Sequence, residues 1–230
     1  MEHQVTGLNN GFGAVIDDVS CDDLKDSNFA AQARDRWREA GGLLVVRGED
    51  LRELSPAELM EWSAVFGEVE QVGQTAREAA MVSGYPIMRI GNIRDEEGNL
   101  RASLARVPQL QSDDDVRYNL KTRRPVWHTD STFREHPPIG SVFHCKQAPD
   151  EGGETLFANT VGALAALDEE KRQELANYEA VCSLAHHDKK INSYSPDYPV
   201  LSPEQRLENP AQRVPLVLEH PRTGRPALYG

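Results

Sequence analysis

The order in which helical and strand patterns follow one another most constrains how this chain can fold. Two of its three helical patterns lie within the first 67 residues, and the third begins at Asp168. The predicted strands are residues 12–19, 43–47, 86–93, 139–148, 153–158 and 178–187, followed by a hairpin over 214–230. Helices placed mostly early and strands mostly late favour an α+β domain with a strand-rich sandwich or jelly-roll core over an alternating βαβ fold.

The first two helices carry recognisable start and stop signals. Ser27 is expected to cap a helix over about residues 29–40, and the glycine pair 41–42 is expected to end it. The sequence SPAE, beginning at Ser55, combines an N-cap serine, a proline at the first helical position and Glu58 in the capping-box position. This second helix is predicted to bury one face and to end at Gly67; the face consists of Leu59, Trp62, Val65 and Phe66.

Charge and composition exclude several classes of protein. The chain has 230 residues and a formal net charge of −12, which makes it a poor electrostatic partner for nucleic-acid phosphates. It has no run of about 18 apolar residues and no N-terminal secretion pattern. Its three widely spaced cysteines fit a reducing compartment better than a disulfide framework. We therefore expect a cytoplasmic protein with no nucleic-acid or membrane partner.

The length fits one globular domain, and residues 1–230 are expected to form a single domain. Within it, residues 101–122 are polar and irregular and include three successive aspartates. Loops of this length inside a compact domain are usually functional or disordered. Residues 101–122 are therefore a candidate lid that excludes water from an active site.

The stretch His128-Thr129-Asp130 is the main candidate for chemistry. Alternate residues of a strand point to the same side, so the imidazole and the carboxylate would face one way. That pair of ligands suits Fe(II) or Mn(II), and a second histidine would complete a 2-His-1-carboxylate triad. The pattern is short, and His186-His187-Asp188 repeats it. Spacing alone leaves both positions open, as well as a hydrogen-bonded His–Asp pair without metal.

The surroundings of the first pattern are more specific. The stretch WHTDSTF, beginning at Trp127, is followed by two prolines, a predicted strand and the sequence EGGETLFANT. These motifs resemble the taurine/2,4-dichlorophenoxyacetate dioxygenase family of Fe(II)/2-oxoglutarate enzymes. The segments GFGAVIDDV and HPRTGRPALY are also similar to that family, so the resemblance spans nearly the whole chain. It implies a double-stranded β-helix, which is a jelly roll, and a structural role for the stretch around His186.

By the same resemblance, His128 and Asp130 look like two of the three iron ligands, and Thr155 looks like the hydroxyl that helps bind 2-oxoglutarate. The third ligand, a distal histidine, is expected beyond Gly230, as is an arginine for the far carboxylate of 2-oxoglutarate; the chain is therefore expected to be a fragment. His220 belongs to the predicted hairpin turn and is not assigned either role. Trp127 is expected to lie in the core.

The resemblance implies a dioxygenase that uses Fe(II), 2-oxoglutarate and O2. It would oxidise an unactivated C–H bond of a small organic acid, with release of succinate and CO2. The acid would be an amino-acid-like carboxylate, an aryloxyacetate or a sulfonate. Arg124 and Lys189 are candidates for binding this anionic substrate, and a solvated side chain is the alternative for each.

Two alternative functions remain open from the sequence. One is a catalytically inactive homologue that keeps the jelly roll for binding or assembly. The other is an enzyme of the same family that catalyses desaturation or a natural-product rearrangement. The resemblance also suggests a homo-oligomer.

Overall fold

The structure, a computed structural model, divides the chain into two compact units. It describes residues 3–8, 11–70, 81–91, 96–97, 118–119, 124–125, 127–148, 150, 155–194, 196 and 200–229. Unit 1 consists of Met1–Gln71, Gly84–Pro86 and Ile139–Asn159, and unit 2 of Val72–Ser83, Ile87–Pro138 and Thr160–Gly230. The candidate lid, residues 101–122, lies outside the described residues apart from Tyr118 and Asn119.

The described residues contain both helices and strands, which is consistent with an α+β protein. The helices are α1 (Ser27–Glu39), α2 (Pro56–Ala64), α3 (Thr160–Ala165), α4 (Glu169–Ala176), α5 (Leu184–Tyr194) and α6 (Pro203–Glu208). The strands are β1 (Val5–Gly7), β2 (Ala14–Ile16), β3 (Leu44–Val46), β4 (Tyr118–Asn119), β5 (Arg124–Pro125), β6 (Glu179–Cys182), β7 (Gln212–Pro215), β8 (Val217–Glu219) and β9 (Pro226–Leu228). Among the described residues, no helix is long and apolar enough to cross a membrane.

Unit 1 contains a three-stranded sheet of mixed direction. Strand β1 pairs antiparallel with β2, and β2 pairs parallel with β3. Helix α1 connects the two parallel strands, because a parallel pair needs a crossover connection. The core of this unit is a cluster of buried side chains from β2, the loop that follows β2, α1 and α2; its members are Ile16, Val19, Phe29, Ala33 and Trp62. The predicted strands at 12–19 and 43–47 are therefore confirmed, although β3 is half-buried rather than fully buried.

Helix α2 buries the face that the sequence predicted. Leu59 and Trp62 are buried, and Val65 and Phe66 pack against the core. The Trp62 ring stacks on the Phe29 ring of α1. It also meets the Phe66 ring edge-on, and the centroids of these two rings are 5.4 Å apart. The helix ends at the C-cap Val65 and not at Gly67, because the last N–H groups shift to hydrogen bonds three residues back.

Capping side chains set the first residues of both helices. The capping box of α2 is confirmed: the Ser55 hydroxyl accepts a hydrogen bond from the Glu58 N–H, and the Glu58 carboxylate accepts one from the Ser55 N–H. In α1 the expected cap Ser27 is wrong, since the Asp26 carboxylate accepts the hydrogen bonds from the first N–H groups. A carboxylate is the stronger acceptor at the positive end of a helix.

The capping box makes one part of the stability pH-dependent. Hydrogen bonds from the Ser55 N–H and hydroxyl, followed by one from Lys25, lower the pKa of Glu58 from 4.5 to about 2. A carboxyl whose pKa is lower in the folded state stabilises that state above pH 4.5 and loses this effect as the pH falls towards 2. We expect the free energy of unfolding of the wild type to exceed that of Glu58→Gln above pH 5, and the difference to shrink between pH 4.5 and 2. Urea unfolding at several pH values measures this difference, and a constant difference would contradict the assignment.

Unit 2 contains two-stranded antiparallel pairs, of which β8 with β9 forms the predicted hairpin. Its turn is closed by a hydrogen bond from the His220 N–H to the Arg225 carbonyl, and Gly224 has a φ of 65°, which favours glycine. Strand β6 pairs with β7, and α3 packs against β9. Helix α4 begins after Asp168, whose carboxylate accepts a hydrogen bond from the Lys171 N–H, as expected of an N-cap.

The expected order of early helices and late strands is wrong. Four of the helices follow residue 159. The strand predicted at 178–187 stops at Cys182, where the Ser183 hydroxyl accepts a hydrogen bond from the His186 N–H and helix α5 begins. The strand predicted at 86–93 is reduced, in its described residues, to a single bridge between Met81 and Met88.

The strand predicted at 139–148 is also absent from that segment, all of which is described, and residues 155–158 are likewise unpaired. Side chains hold the first segment instead: a His144 ring nitrogen lies 2.7 Å from the Leu51 carbonyl oxygen, and the Lys146 ammonium donates to the Leu54 carbonyl at 3.1 Å. A β-prone sequence extends the backbone, but a strand forms only where a second strand pairs with it.

Candidate metal centre

The structure brings the His128 and Asp130 side chains together in unit 2. Both residues follow β5, in a loop that leads into a turn over residues 130–133. The His128 Nε2 lies 3.2 Å from the Asp130 Oδ1, and the side chains are 74% and 62% exposed. An imidazole nitrogen and a carboxylate oxygen therefore face the same open space.

A turn follows these two residues, and neither of them lies in a paired strand. Ser131 has a φ of 59°, and the Arg134 N–H donates to the Ser131 carbonyl at 3.0 Å. The chain therefore reverses immediately after Asp130. The expectation that the two side chains share one side is confirmed, but they do not lie in a paired strand.

The separation of the two ligand atoms fits a metal ion. Two atoms at adjacent corners of an octahedron, each about 2.1 Å from the metal, lie about 3.0 Å apart. The 3.2 Å between Nε2 and Oδ1 is close to that value. One imidazole and one carboxylate also form the donor combination typical of non-haem Fe(II) sites. No set of three His, Cys, Asp or Glu side chains that could hold a metal occurs within the described residues, so the candidate site described there consists of these two side chains.

The second H-x-D pattern has a different geometry. His186 and Asp188 lie on helix α5, where residues two positions apart point about 200° away from each other. Asp188 is buried and His186 is exposed. The two side chains cannot bind the same ion, which agrees with the structural role expected for this stretch.

The other predicted site residues lie on separate elements. Thr155 is exposed in unit 1, in the unpaired segment before α3. Arg124 lies in β5, paired with Asn119 of β4. Lys189 is exposed on α5, and not on a loop after a strand. Their roles in binding 2-oxoglutarate and substrate remain predictions.

For two residues near His128 and Asp130, the sequence interpretation was wrong or missing. Trp127 was expected in the core, but it is 57% exposed because it precedes the exposed loop that carries His128. Arg134 was not considered, although its N–H closes the turn on the Ser131 carbonyl and its guanidinium lies 5.6 Å from the Phe133 ring centroid. The charged residues that cluster in residues 123–136 were the sequence signal that could have drawn attention to Arg134.

The sequence matches a family model over almost its full length. The family is described as "Taurine catabolism dioxygenase TauD, TfdA family", and the match covers residues 4–230.

Relatives whose names state an activity are also similar in sequence to this chain. An (S)-phenoxypropionate/alpha-ketoglutarate-dioxygenase of Sphingobium herbicidovorans is 27% identical over 228 residues, which cover 97% of this chain and 69% of that protein. The protein of the same name from Delftia acidovorans is 27% identical, over 98% of this chain and 70% of its own length. An alpha-ketoglutarate-dependent sulfate ester dioxygenase of Pseudomonas putida is 32% identical over 139 residues, which cover 53% of this chain and 43% of that protein.

A solved structure with a similar fold is that of AAD-2 in complex with Mn(II) and N-oxalylglycine. The alignment has a TM-score of 0.66 at 20% sequence identity and covers 100% of this chain and 71% of that one. At this level of identity the likeness shows the fold.

Proposed function

This chain belongs to the taurine catabolism dioxygenase TauD, TfdA family, and on that premise we propose that it oxidises an unactivated C–H bond of a small anionic organic acid. Membership makes it an Fe(II)/2-oxoglutarate-dependent dioxygenase, whose cofactor and co-substrates are Fe(II), 2-oxoglutarate and O2. The observation that carries the proposal is the pair of exposed ligand atoms of His128 and Asp130, 3.2 Å apart.

Each proposed site residue has a distinct task. When bound, Fe(II) with 2-oxoglutarate and O2 supplies the oxidising chemistry, which releases succinate and CO2. His128 and Asp130 would hold the metal through Nε2 and Oδ1. The Thr155 hydroxyl would donate a hydrogen bond to a 2-oxoglutarate carboxylate, a role supported by its place in the GGET motif.

The anionic nature of the substrate is supported by the relatives. Phenoxypropionate carries a carboxylate, and the Pseudomonas putida relative acts on sulfate esters. Arg124 and Lys189 would supply positive charge for such a group, because Arg and Lys side chains bind carboxylates and sulfates through charge-assisted hydrogen bonds. The substrate would be an aryloxy acid, a sulfonate or an amino-acid-like carboxylate.

The same family membership supports a double-stranded β-helix as the core of a single domain. The similarity to a solved structure over the whole chain agrees with this fold. A cytoplasmic location is supported by Cys21, Cys145 and Cys182, which are all free thiols.

The proposed reaction predicts substrate-dependent formation of succinate. Purified protein would be supplied with Fe(II), 2-oxoglutarate and O2, together with 2-phenoxypropionate, phenoxyacetate, an alkylsulfonate, an alkyl sulfate or an amino acid. We expect at least one acid to raise the succinate rate well above the substrate-free rate and to gain one oxygen atom, as judged by product mass. Removal of Fe(II) with a chelator is expected to abolish both signals.

Product mass separates the alternatives. Loss of two hydrogens instead of a gain of one oxygen would indicate desaturation. Iron binding without succinate, with every acid in the panel, would contradict the proposed reaction and support a binding or assembly module.

A further inference from the structure

Unit 1 contains a cavity of about 470 Å³ between α1, α2 and the turn that precedes α1. This volume lies within the range of small-molecule sites, which are mostly apolar with a few placed polar groups. Its apolar wall is formed chiefly by Leu24, Ala30, Leu54, Trp62 and Val65. None of the lining residues belongs to the proposed iron site.

The charged side chains that line the cavity differ in whether a side chain of opposite charge pairs with them. Lys25 is paired with Asp22 and Glu58, with both nitrogen–oxygen distances 3.3 Å. Glu61 is exposed to water and needs no partner. Arg34 is the exception: among the described residues no carboxylate pairs with it, and its Nε is buried without a hydrogen-bond partner. The cavity is therefore lined by an arginine that no carboxylate of the described residues neutralises, and whose Nε–H lacks an acceptor.

Neighbouring arginines on the same helix behave as ordinary surface residues. Arg36 forms an ion pair with Glu39 at 2.9 Å, and Arg38 forms one with Asp35 at 3.3 Å. Both are exposed. Both solvent-facing arginines of α1 thus pair with a carboxylate, whereas Arg34 of the same helix lines the cavity.

We propose that this cavity binds a small organic carboxylate with an apolar body. The carboxylate would accept hydrogen bonds from the Arg34 guanidinium, whose planar fork matches two carboxylate oxygens. The apolar body would lie against Leu24 and Trp62. A single negative charge is favoured over a multiply charged anion, because Glu58 and Glu61 also line the cavity.

Alkylation of Cys21 can report ligand binding in the cavity, because Cys21 also lines the cavity. Burial, followed by the nearby Asp50, raises the pKa of the Cys21 thiol, so its alkylation is best followed above pH 8. In a protein with Cys145 and Cys182 replaced by serine, we expect phenylacetate to slow the alkylation of Cys21 in a saturable manner. A dissociation constant on the order of 1 mM is expected for a ligand of this size. The neutral analogue 2-phenylacetamide is expected to give no protection.

Arg34→Gln and Arg34→Met are expected to weaken protection by phenylacetate at least tenfold, because the charge-assisted hydrogen bonds are lost. Arg36→Gln is the matched control and is expected to leave protection unchanged. Circular dichroism and thermal melting verify that each variant is folded. Equal protection by phenylacetate and 2-phenylacetamide, no protection by phenylacetate, or undiminished protection in both Arg34 variants would overturn the proposal.

The same alkylation experiment on the His128→Ala variant distinguishes a separate carboxylate site from the proposed iron site. Protection of Cys21 is expected to persist in that variant, because the cavity does not include the iron site. Loss of protection in His128→Ala would show that the phenylacetate effect comes from the iron site and would contradict a separate carboxylate site.

Discussion

Replacing His128 with alanine is expected to lower iron-dependent succinate formation by at least about 100-fold, since loss of groups one shell further from a metal already costs about 10–100-fold. The substitution removes one of the two proposed ligand atoms, which lie 3.2 Å apart in the structure. Fe(II) binding, measured by calorimetry under anaerobic conditions, should weaken in parallel. The fold should be unaffected, because the His128 side chain is mostly exposed.

His186→Ala is the matched control for this prediction. His186 is also an exposed histidine in an H-x-D pattern, but it lies on helix α5 and diverges from Asp188. We expect this variant to keep its activity and its affinity for Fe(II) within about twofold, as is usual for a surface substitution away from a site. Equal losses in the two variants, or an active His128→Ala protein, would exclude His128 as an iron ligand.

Replacing Gly48 with alanine is expected to destabilise the protein by about 3 kcal/mol or more, at or above the usual range for an overpacked site. A Cβ at this position would overlap with the carbonyl oxygen of Val19 and lie 2.8 Å from its carbonyl carbon. Main-chain atoms cannot rotate away as a side chain can. The backbone that joins β3 to the next turn must therefore shift, which also strains the hydrogen bond from the Val19 N–H to the Arg47 carbonyl.

Gly7→Ala separates this steric effect from the general effect of replacing glycine. A Cβ at Gly7 would have no atom within 4 Å, and neither glycine has a positive φ. We expect Gly7→Ala to change the free energy of unfolding by less than about 1 kcal/mol. Urea unfolding followed by circular dichroism measures both variants, and a wild-type midpoint for Gly48→Ala would show that the chain accommodates the extra carbon without cost.

Local signals correctly predicted α1, α2, α4 and several tight turns. The capping box at Ser55, the glycine pair 41–42 and the hairpin turn with Gly224 all occur where expected. Each of these features depends on hydrogen bonds or backbone angles within a few residues, so the neighbouring sequence contains the information that decides it.

Pairing between distant segments was not predictable in the same way. Residues 139–148 have the composition of a strand, yet none forms there, and their side chains bond instead to carbonyls of residues 51 and 54. Residues 183–187 also looked β-prone but belong largely to helix α5, whose first turn is capped by Ser183. Whether a β-prone segment pairs depends on which other segment lies beside it, and local composition does not record that.

The sequence by itself determined the family of this protein, because the family motifs extend over residues 4–230. It also determined the capping box at Ser55 and the His128–Asp130 pair, because the residues that define these two features are neighbours in the chain. Only the tertiary structure decided that these two residues lie in an exposed loop before a turn and not in a paired strand. It also decided that His186 and Asp188 diverge on a helix, and that Arg34 lines a cavity while Arg36 and Arg38 find carboxylates in solvent. Side-chain direction and burial arise from packing between segments that are distant in sequence, and a short motif cannot specify them.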